Sequence, residues 1–94
     1  MLQVRVEVAT EQELTVSLQG EDHTILNVLV EELNKDPRVE MAAYEQAHPL
    51  TGEYRLTVKT RDEASPLEAL RTACERLKKI YENLLEQVDA QRPL

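Results

Sequence analysis

Apolar and polar residues alternate in two stretches near the start of the chain. The apolar positions of the first stretch are Leu2, Val4, Val6 and Val8, and those of the second are Leu14, Val16 and Leu18. Successive side chains of a β-strand point to opposite faces, so this period of two predicts two half-buried strands. The polar residues 10–13 between them are few enough to connect an antiparallel hairpin.

The spacing of apolar residues changes after Gly20. The next ones recur at intervals that place them on one face of a helix: Leu26, Leu29, Val30 and Leu33. We expect Asp22 or Thr24 to accept hydrogen bonds from the free amides at the start of this helix, and Asn34 and Pro37 to mark its end.

Alternation then returns and predicts a second hairpin. Its apolar positions are Val39, Met41, Ala43, Leu56 and Val58. Residues 48–52 between the two strands include Pro49 and Gly52, which suit a reversal of the chain.

A long helix is predicted to begin at Ser65. This serine is the expected N-cap, Pro66 occupies the first helical position, and Glu68 completes a capping box. The helix is predicted to reach about Asp89, with alternate spacings of three and four along one seam: Leu67, Leu70, Cys74, Leu77, Tyr81, Leu84 and Val88.

The order of these elements, ββαββα, predicts one α+β domain over residues 1–94. We expect a two-layer sandwich in which a four-stranded antiparallel sheet carries both helices on one face. There is no linker or low-complexity segment that would divide the chain.

The last helix is predicted to carry more apolar surface than this sandwich can cover. At ~1.5 Å per residue it would span about 36 Å, whereas an eight-residue strand spans about 27 Å. We therefore predict a protein interface on this helix, although its pattern leaves open which residues face the sheet and which face another chain. The candidate interface residues are Leu70, Ala73, Leu77, Ile80, Tyr81, Leu84 and Val88.

The charge balance argues against several classes of partner. Eighteen acidic and eleven basic residues give a net charge of −7, which repels nucleic-acid backbones and anionic membrane surfaces. The sequence has neither an apolar run of about 18 residues nor the apolar segment of a signal peptide. We expect a soluble, cytoplasmic protein without direct nucleic-acid or membrane contacts.

Candidates for chemistry are few. Cys74 is the only cysteine, so it cannot form an internal disulfide, and its place in the helical seam predicts a core position. The histidines His23, beside Asp22, and His48 lack further ligands at a fixed spacing, so a structural or exposed role is favoured. We expect no catalytic, cofactor-binding or metal-binding residue in this chain.

Several segments resemble the small alpha-like subunits of RNA polymerase, a family that includes archaeal subunit L and is related to the dimerisation module of the bacterial alpha subunit. Residues 20–24, Gly-Glu-Asp-His-Thr, with Asn27 are similar to the family signature, although Ile25 and Leu26 stand where the family often has leucine and glycine. The similarity covers residues 14–88 and includes further positions: Val39, Ala42, Ala43, Tyr44, His48, Pro49, Leu50, Ala69, Leu70 and Ala73.

The resemblance implies a non-catalytic subunit of a DNA-directed RNA polymerase. It implies a heterodimer with the larger alpha-like subunit, called D in archaea, in which long helices of both chains pack together and form the platform on which the large catalytic subunits assemble. Nucleotidyl transfer during transcription would then belong to those other subunits, and this chain would hold no cofactor or metal.

Two alternatives stay open from the sequence. A free-standing homodimer could use the same helical seam as a ligand-binding or regulatory module. Pterin carbinolamine dehydratases share this layering of elements and carry a His-His-Pro motif in the active site. Ala47 precedes His48 and Pro49 here, so one of the two imidazoles of that motif is missing.

Overall fold

The structure is a computed structural model that describes residues 2–20, 23–48 and 50–91. It contains six elements in the predicted order: β1 (Gln3–Ala9), β2 (Glu13–Gln19), α1 (His23–Asn34), β3 (Val39–His48), β4 (Glu53–Thr60) and α2 (Pro66–Gln91). The predicted ββαββα arrangement of the α+β class is thereby confirmed.

The four strands form one antiparallel sheet in the order β1-β2-β4-β3. The central pair joins the two hairpins, with Glu13 opposite Lys59 at one end and Gln19 opposite Glu53 at the other. Both helices lie on one face of this sheet, where α1 packs mainly on β3 and α2 packs on α1, β4 and β2. Strand β1 therefore lies at an edge that neither helix covers.

The core lies between the two helices and the three strands that they cover. Its buried apolar side chains come from all five of these elements: Leu14, Val16, Leu33, Val39, Ala42, Leu56, Val58, Ala69 and Ala73. Strands β2 and β4 contribute alternate residues, as the period of two in the sequence predicted. The predicted apolar face of β3 is wrong, because a register shift between Val39 and Met41 turns Ala42 into the core and leaves Met41 and Ala43 exposed. The turn between β3 and β4 reverses at Gly52, whose φ of 68° favours glycine because it has no Cβ.

The predicted N-cap of α2 is confirmed at Ser65. The Ser65 hydroxyl accepts a hydrogen bond from the Glu68 amide at 3.3 Å. At the start of α1, Asp22 lies outside the described residues and Thr24 falls inside the helix. No described helix combines the length and the apolar composition that crossing a bilayer requires.

Asn34 ends α1 and joins it to the edge of the sheet. Its side-chain amide donates to the carbonyl of Ala42 at 3.0 Å and accepts from the amide of Ala42 at 3.0 Å. The asparagine thus takes both hydrogen-bonding groups of one residue on the edge strand β3, which would otherwise be open to pairing.

The prediction of one half-buried apolar face on β1 is wrong in two respects. Val6 lies opposite Val16 but Val8 lies opposite Thr15, so a bulge at Glu7 moves Val8 into register with the other face of the sheet. The side chains that do share the helix-bearing face are open to solvent, with Val4 56% and Val6 59% exposed, because no helix lies over β1.

The apolar seam that the spacing predicts along α2 does not face the sheet. The side chains that α2 buries are small or ring-closed, namely Pro66, Ala69 and Ala73. Small residues let a helix axis approach a sheet closely, and the larger residues of the seam are then turned to the side. Leu67 is 51% exposed and Cys74 is exposed, so the prediction of a core position for Cys74 is incorrect.

Candidate protein interface

An apolar groove runs along the uncovered strand at the edge of the sheet. Its floor is formed by β1 and β2, one side by the first half of α2, and one end by α1. We call it the β1 groove and define it by these residues: Val4, Val6, Val16, Leu18, Ile25, Leu29, Leu67, Leu70 and Cys74.

The β1 groove consists of two adjoining open hollows of about 300 and 540 Å³. Val4, Val16 and Leu70 line both of them, so the two hollows are continuous. Glu11 is the only charged residue that lines either hollow in the described part of the chain. An apolar trough of this kind is unfavourable in water and suits an apolar occupant.

The second half of α2 is the other apolar surface without a partner in the chain. All of its residues from Lys78 to Gln91 are exposed, and its large apolar side chains are 52% to 62% exposed. We call residues 80–91 the α2 overhang, and its apolar members are Ile80, Tyr81, Leu84, Leu85 and Val88.

The charged residues of this half of α2 lie on the opposite side of the helix. At 3.6 residues per turn, the apolar members of the overhang share one broad arc, and the charges fall outside it. Those charged positions are Lys78, Lys79, Glu82, Glu86 and Asp89. The overhang therefore presents a continuous apolar strip about three turns long.

The structure places the sequence-predicted interface residues in three different settings. Ala73 belongs to the core of this chain, and Leu70 and Leu77 are partly exposed along the side of α2. The remaining four lie on the overhang: Ile80, Tyr81, Leu84 and Val88. The sequence analysis did not predict the β1 groove. The one signal for it was that two helices are too few to cover four strands.

Polar side chains connect the turn after α1 to α2. The Asp36 carboxylate accepts hydrogen bonds from the Arg38 guanidinium, at 2.8 Å from Nη2 and 3.1 Å from Nε, and from the Arg38 amide at 2.9 Å. Arg38 Nη2 also donates to the Thr72 hydroxyl at 3.2 Å. The turn after α1 is thereby joined to the first half of α2, which forms one side of the groove.

The hydrogen bonds from Arg38 also change the titration of Asp36. They lower the pKa of this carboxyl below its usual value, and they outweigh the burial that would raise it. The guanidinium fixed beside it therefore stabilises the charged form of a carboxylate that protein nearly covers.

The face of the sheet away from the helices is polar and largely satisfied within the chain. Ser17 donates to Glu7 at 2.7 Å, and the hydroxyls of Thr15 and Thr57 lie 3.1 Å apart. Hydrogen bonds from Ser17 and Arg5 lower the pKa of Glu7. Uncovered apolar surface is therefore concentrated on the side of the sheet that carries the helices.

The other candidates for chemistry do not come together. The nearest carboxylate oxygen of Glu53 lies 3.8 Å from Nε2 of the exposed His48, and Pro49 lies outside the described residues. Partial burial, with the Glu75 charge, raises the pKa of Cys74. Among the described residues there is no group of three or more potential metal ligands.

Comparison with known proteins identifies the family. Residues 13–87 match the sequence profile of the RNA polymerase Rpb3/Rpb11 dimerisation domain. This chain belongs to that family. The resemblance noted in the signature segment around Asn27 is thereby confirmed.

Relatives support the assignment along almost the whole chain. DNA-directed RNA polymerase subunit Rpo11 of Pyrococcus furiosus is 41% identical over 91 residues, which is 93% of this chain and 93% of that protein. The subunit of the same name from Korarchaeum cryptofilum is 38% identical over 81 residues, covering 86% and 83% of the two chains.

A solved structure shows the same architecture. DNA-directed RNA polymerase subunit L from Thermoplasma acidophilum superposes with a TM-score of 0.80 at 27% identity, covering 100% of this chain and 99% of that one. The chain is thus a small alpha-like RNA polymerase subunit with archaeal relatives. The family match begins at β2 and ends within the α2 overhang, so it includes part of the groove floor and most of the overhang.

Proposed function

We propose that this chain forms a heterodimer with the larger alpha-like polymerase subunit, the one called D in archaea, and that the dimer is the platform on which the large catalytic subunits assemble. The observation that carries the proposal is the presence of two unpartnered apolar surfaces, the β1 groove and the α2 overhang, in a chain that belongs to a dimerisation-domain family. Its role in transcription would be structural, in the cytoplasm.

The energetics favour a partner that covers both surfaces. Removing apolar area from water contributes about 25 cal/mol per Å², and a specific interface covers about 800 Å² on each partner. The overhang contributes five large apolar side chains, each more than half exposed, and the groove adds an apolar trough beside them. Long helices of the two chains would pack together there.

The experiment is co-expression with the larger alpha-like subunit from the same genome, followed by mass measurement of the purified complex. We expect a 1:1 complex. Leu84→Glu should greatly reduce its yield, because an unpaired carboxylate at a buried interface costs several kcal/mol. Leu84 is 58% exposed in the chain alone, so this variant should still fold.

Glu82→Ala is the matched control for Leu84→Glu. Glu82 lies two residues away on the charged side of the same helix, and its side chain is 59% exposed. Exposed substitutions usually alter stability by less than ~0.5 kcal/mol, so the yield of complex should be unchanged. Equal yields from both variants, or separate migration of the wild-type chain and the larger alpha-like subunit, would contradict the proposal.

A further inference from the structure

We infer that, when the larger alpha-like subunit is absent, two copies of this chain pair with each other and the α2 overhang of each copy lies in the β1 groove of the other. The inference rests on the proposed function, because it assigns the surfaces that the larger subunit would cover to a second copy. The free chain would then be a self-covered dimer that the larger subunit must displace.

The two surfaces match in number and in length. Each copy has one groove without an occupant and one helix end without a partner, so two copies related by a two-fold axis satisfy all four surfaces and leave none to extend a filament. The overhang of about twelve residues spans about 18 Å at 1.5 Å per residue. Strand β1, with seven residues, spans about 23 Å, so its length accommodates the overhang.

The charges on the two surfaces permit this pairing. Glu11 is the only charged residue lining the groove in the described ranges, and the charges of the overhang lie on the opposite side of the helix. Docking would therefore bury no ionised side chain of the helix. The cost of removing a charge from water, which can exceed the gain from an ion pair, is thereby avoided.

The net charge opposes pairing only at long range. Each copy carries a formal charge of −7, so two copies repel each other through the solvent. Salt screens this repulsion, with a Debye length of about 30 Å at 0.01 M and about 3 Å at 1 M. The fraction of dimer should consequently rise with salt, whereas a dimer held by surface ion pairs would weaken.

Cys74 provides a direct test because it lies in the groove and is the only cysteine. Leu84→Cys adds a second thiol, on the overhang. Within one copy the two positions lie ten residues apart on one helix, or about 15 Å, which is beyond the ~7 Å limit for the Cα atoms of a disulfide. A disulfide between positions 74 and 84 must therefore join two copies.

The Leu84→Cys chain is purified alone, oxidised with glutathione disulfide at mildly alkaline pH, and analysed by non-reducing electrophoresis and peptide mass mapping. We expect covalent dimers joined between Cys74 and position 84. Two thiols held together in a complex react at an effective concentration of about 1 mM. In the Glu82→Cys control the new thiol lies on the charged side of the helix, away from the groove. At micromolar protein this control should form the disulfide at least about tenfold more slowly than Leu84→Cys. Removing the groove thiol by Cys74→Ser should abolish the 74–84 linkage.

Mass measurement of the wild-type chain alone completes the test. A monomer at 10.8 kDa throughout the micromolar range, a linkage only between two copies of position 84, or a dimer that dissociates as salt rises would overturn the inference. A monomer that still pairs with the larger alpha-like subunit would leave the proposed function standing. A crosslinked dimer from a chain that never pairs with the larger subunit would instead support self-pairing and contradict the proposed function.

Discussion

At the scale of single residues, the nearly buried Asp36 forms an ion pair with Arg38 that connects the turn after α1 to α2. It lies in the turn after α1 and is 7% exposed, and its carboxylate is held by the side chain and the backbone of Arg38. Through Arg38 it reaches Thr72, so one ion pair connects the turn to the part of α2 that borders the groove. Replacing the carboxylate should loosen this connection without touching the apolar surfaces.

Asp36→Asn should lower the free energy of unfolding by about 1–2 kcal/mol at neutral pH, since charge-assisted hydrogen bonds are strong but the partly exposed Arg38 is screened by water. The pKa of Asp36 is lowered in the folded chain, so its stabilising effect is present above the usual pKa of about 3.9 and is lost as the pH falls through the lowered value. Urea unfolding at a fixed protein concentration, compared between variant and wild type from neutral to acidic pH, measures this dependence.

Glu40→Gln is a suitable control, because Glu40 is an exposed carboxylate on β3. Its effect on unfolding should be within ~0.5 kcal/mol at neutral pH. A stability difference between wild type and Asp36→Asn that increased toward acid would contradict the assigned role of the ion pair.

At the scale of elements, the two halves of α2 have different surroundings. Its first half packs small side chains, Ala69 and Ala73, onto the sheet, and its second half makes no comparable contact. The close approach of the first half turns Leu67 and Cys74 toward the groove. The size of the residues at the helix–sheet contact thus decides where the large apolar side chains point.

Ala73→Leu tests this packing. Ala73 is 3% exposed, so three added carbon atoms must displace either α2 or the sheet, and overpacking of this kind typically costs about 1–3 kcal/mol. Chemical denaturation should show the loss directly. Cys74→Leu is the matched control one residue later, and because Cys74 is exposed we expect an effect below ~0.5 kcal/mol. The reverse ranking would mean that α2 presents its other face to the sheet.

At the scale of the whole molecule, folding and pairing use different surfaces. The sandwich closes over β2, β4 and β3, and the described chain extends 51 Å along its longest axis because α2 continues beyond that core. Apolar surface that the fold does not need is therefore available for pairing. We therefore expect a chain without the overhang to fold but not to pair with the larger alpha-like subunit.

Truncation after Lys79, which removes residues 80–94, separates these two properties. We expect far-UV circular dichroism to keep the strand signal and part of the helix signal, and urea to give a cooperative transition, because no residue of the deleted segment belongs to the buried core. Co-purification with the larger alpha-like subunit should be lost. A control that ends at Gln91 retains the overhang and should pair normally, and a truncated chain that still bound the larger subunit would assign pairing to the groove alone.

The local structure of this protein was accessible from its sequence. The capping box at Ser65 located the start of α2, and the spacing from Leu26 to Leu33 located α1. The family resemblance around Asn27 was equally informative, and it is confirmed. These inferences succeed because the periods at which side chains share a face, two residues in a strand and 3.6 in a helix, and the cap of a helix can be read from neighbouring residues.

Only the tertiary structure shows which side of each element faces the core. Nothing in the alternation of β1 shows that β2 pairs with β4 and leaves β1 outside the cover of the helices, or that a bulge turns Val8 to the other face. Likewise, the broad apolar arc of α2 does not reveal that alanines rather than leucines meet the sheet. Those outcomes depend on non-local pairing and on the fit of side chains between layers, so only the folded chain decided where its unpartnered apolar surface lies.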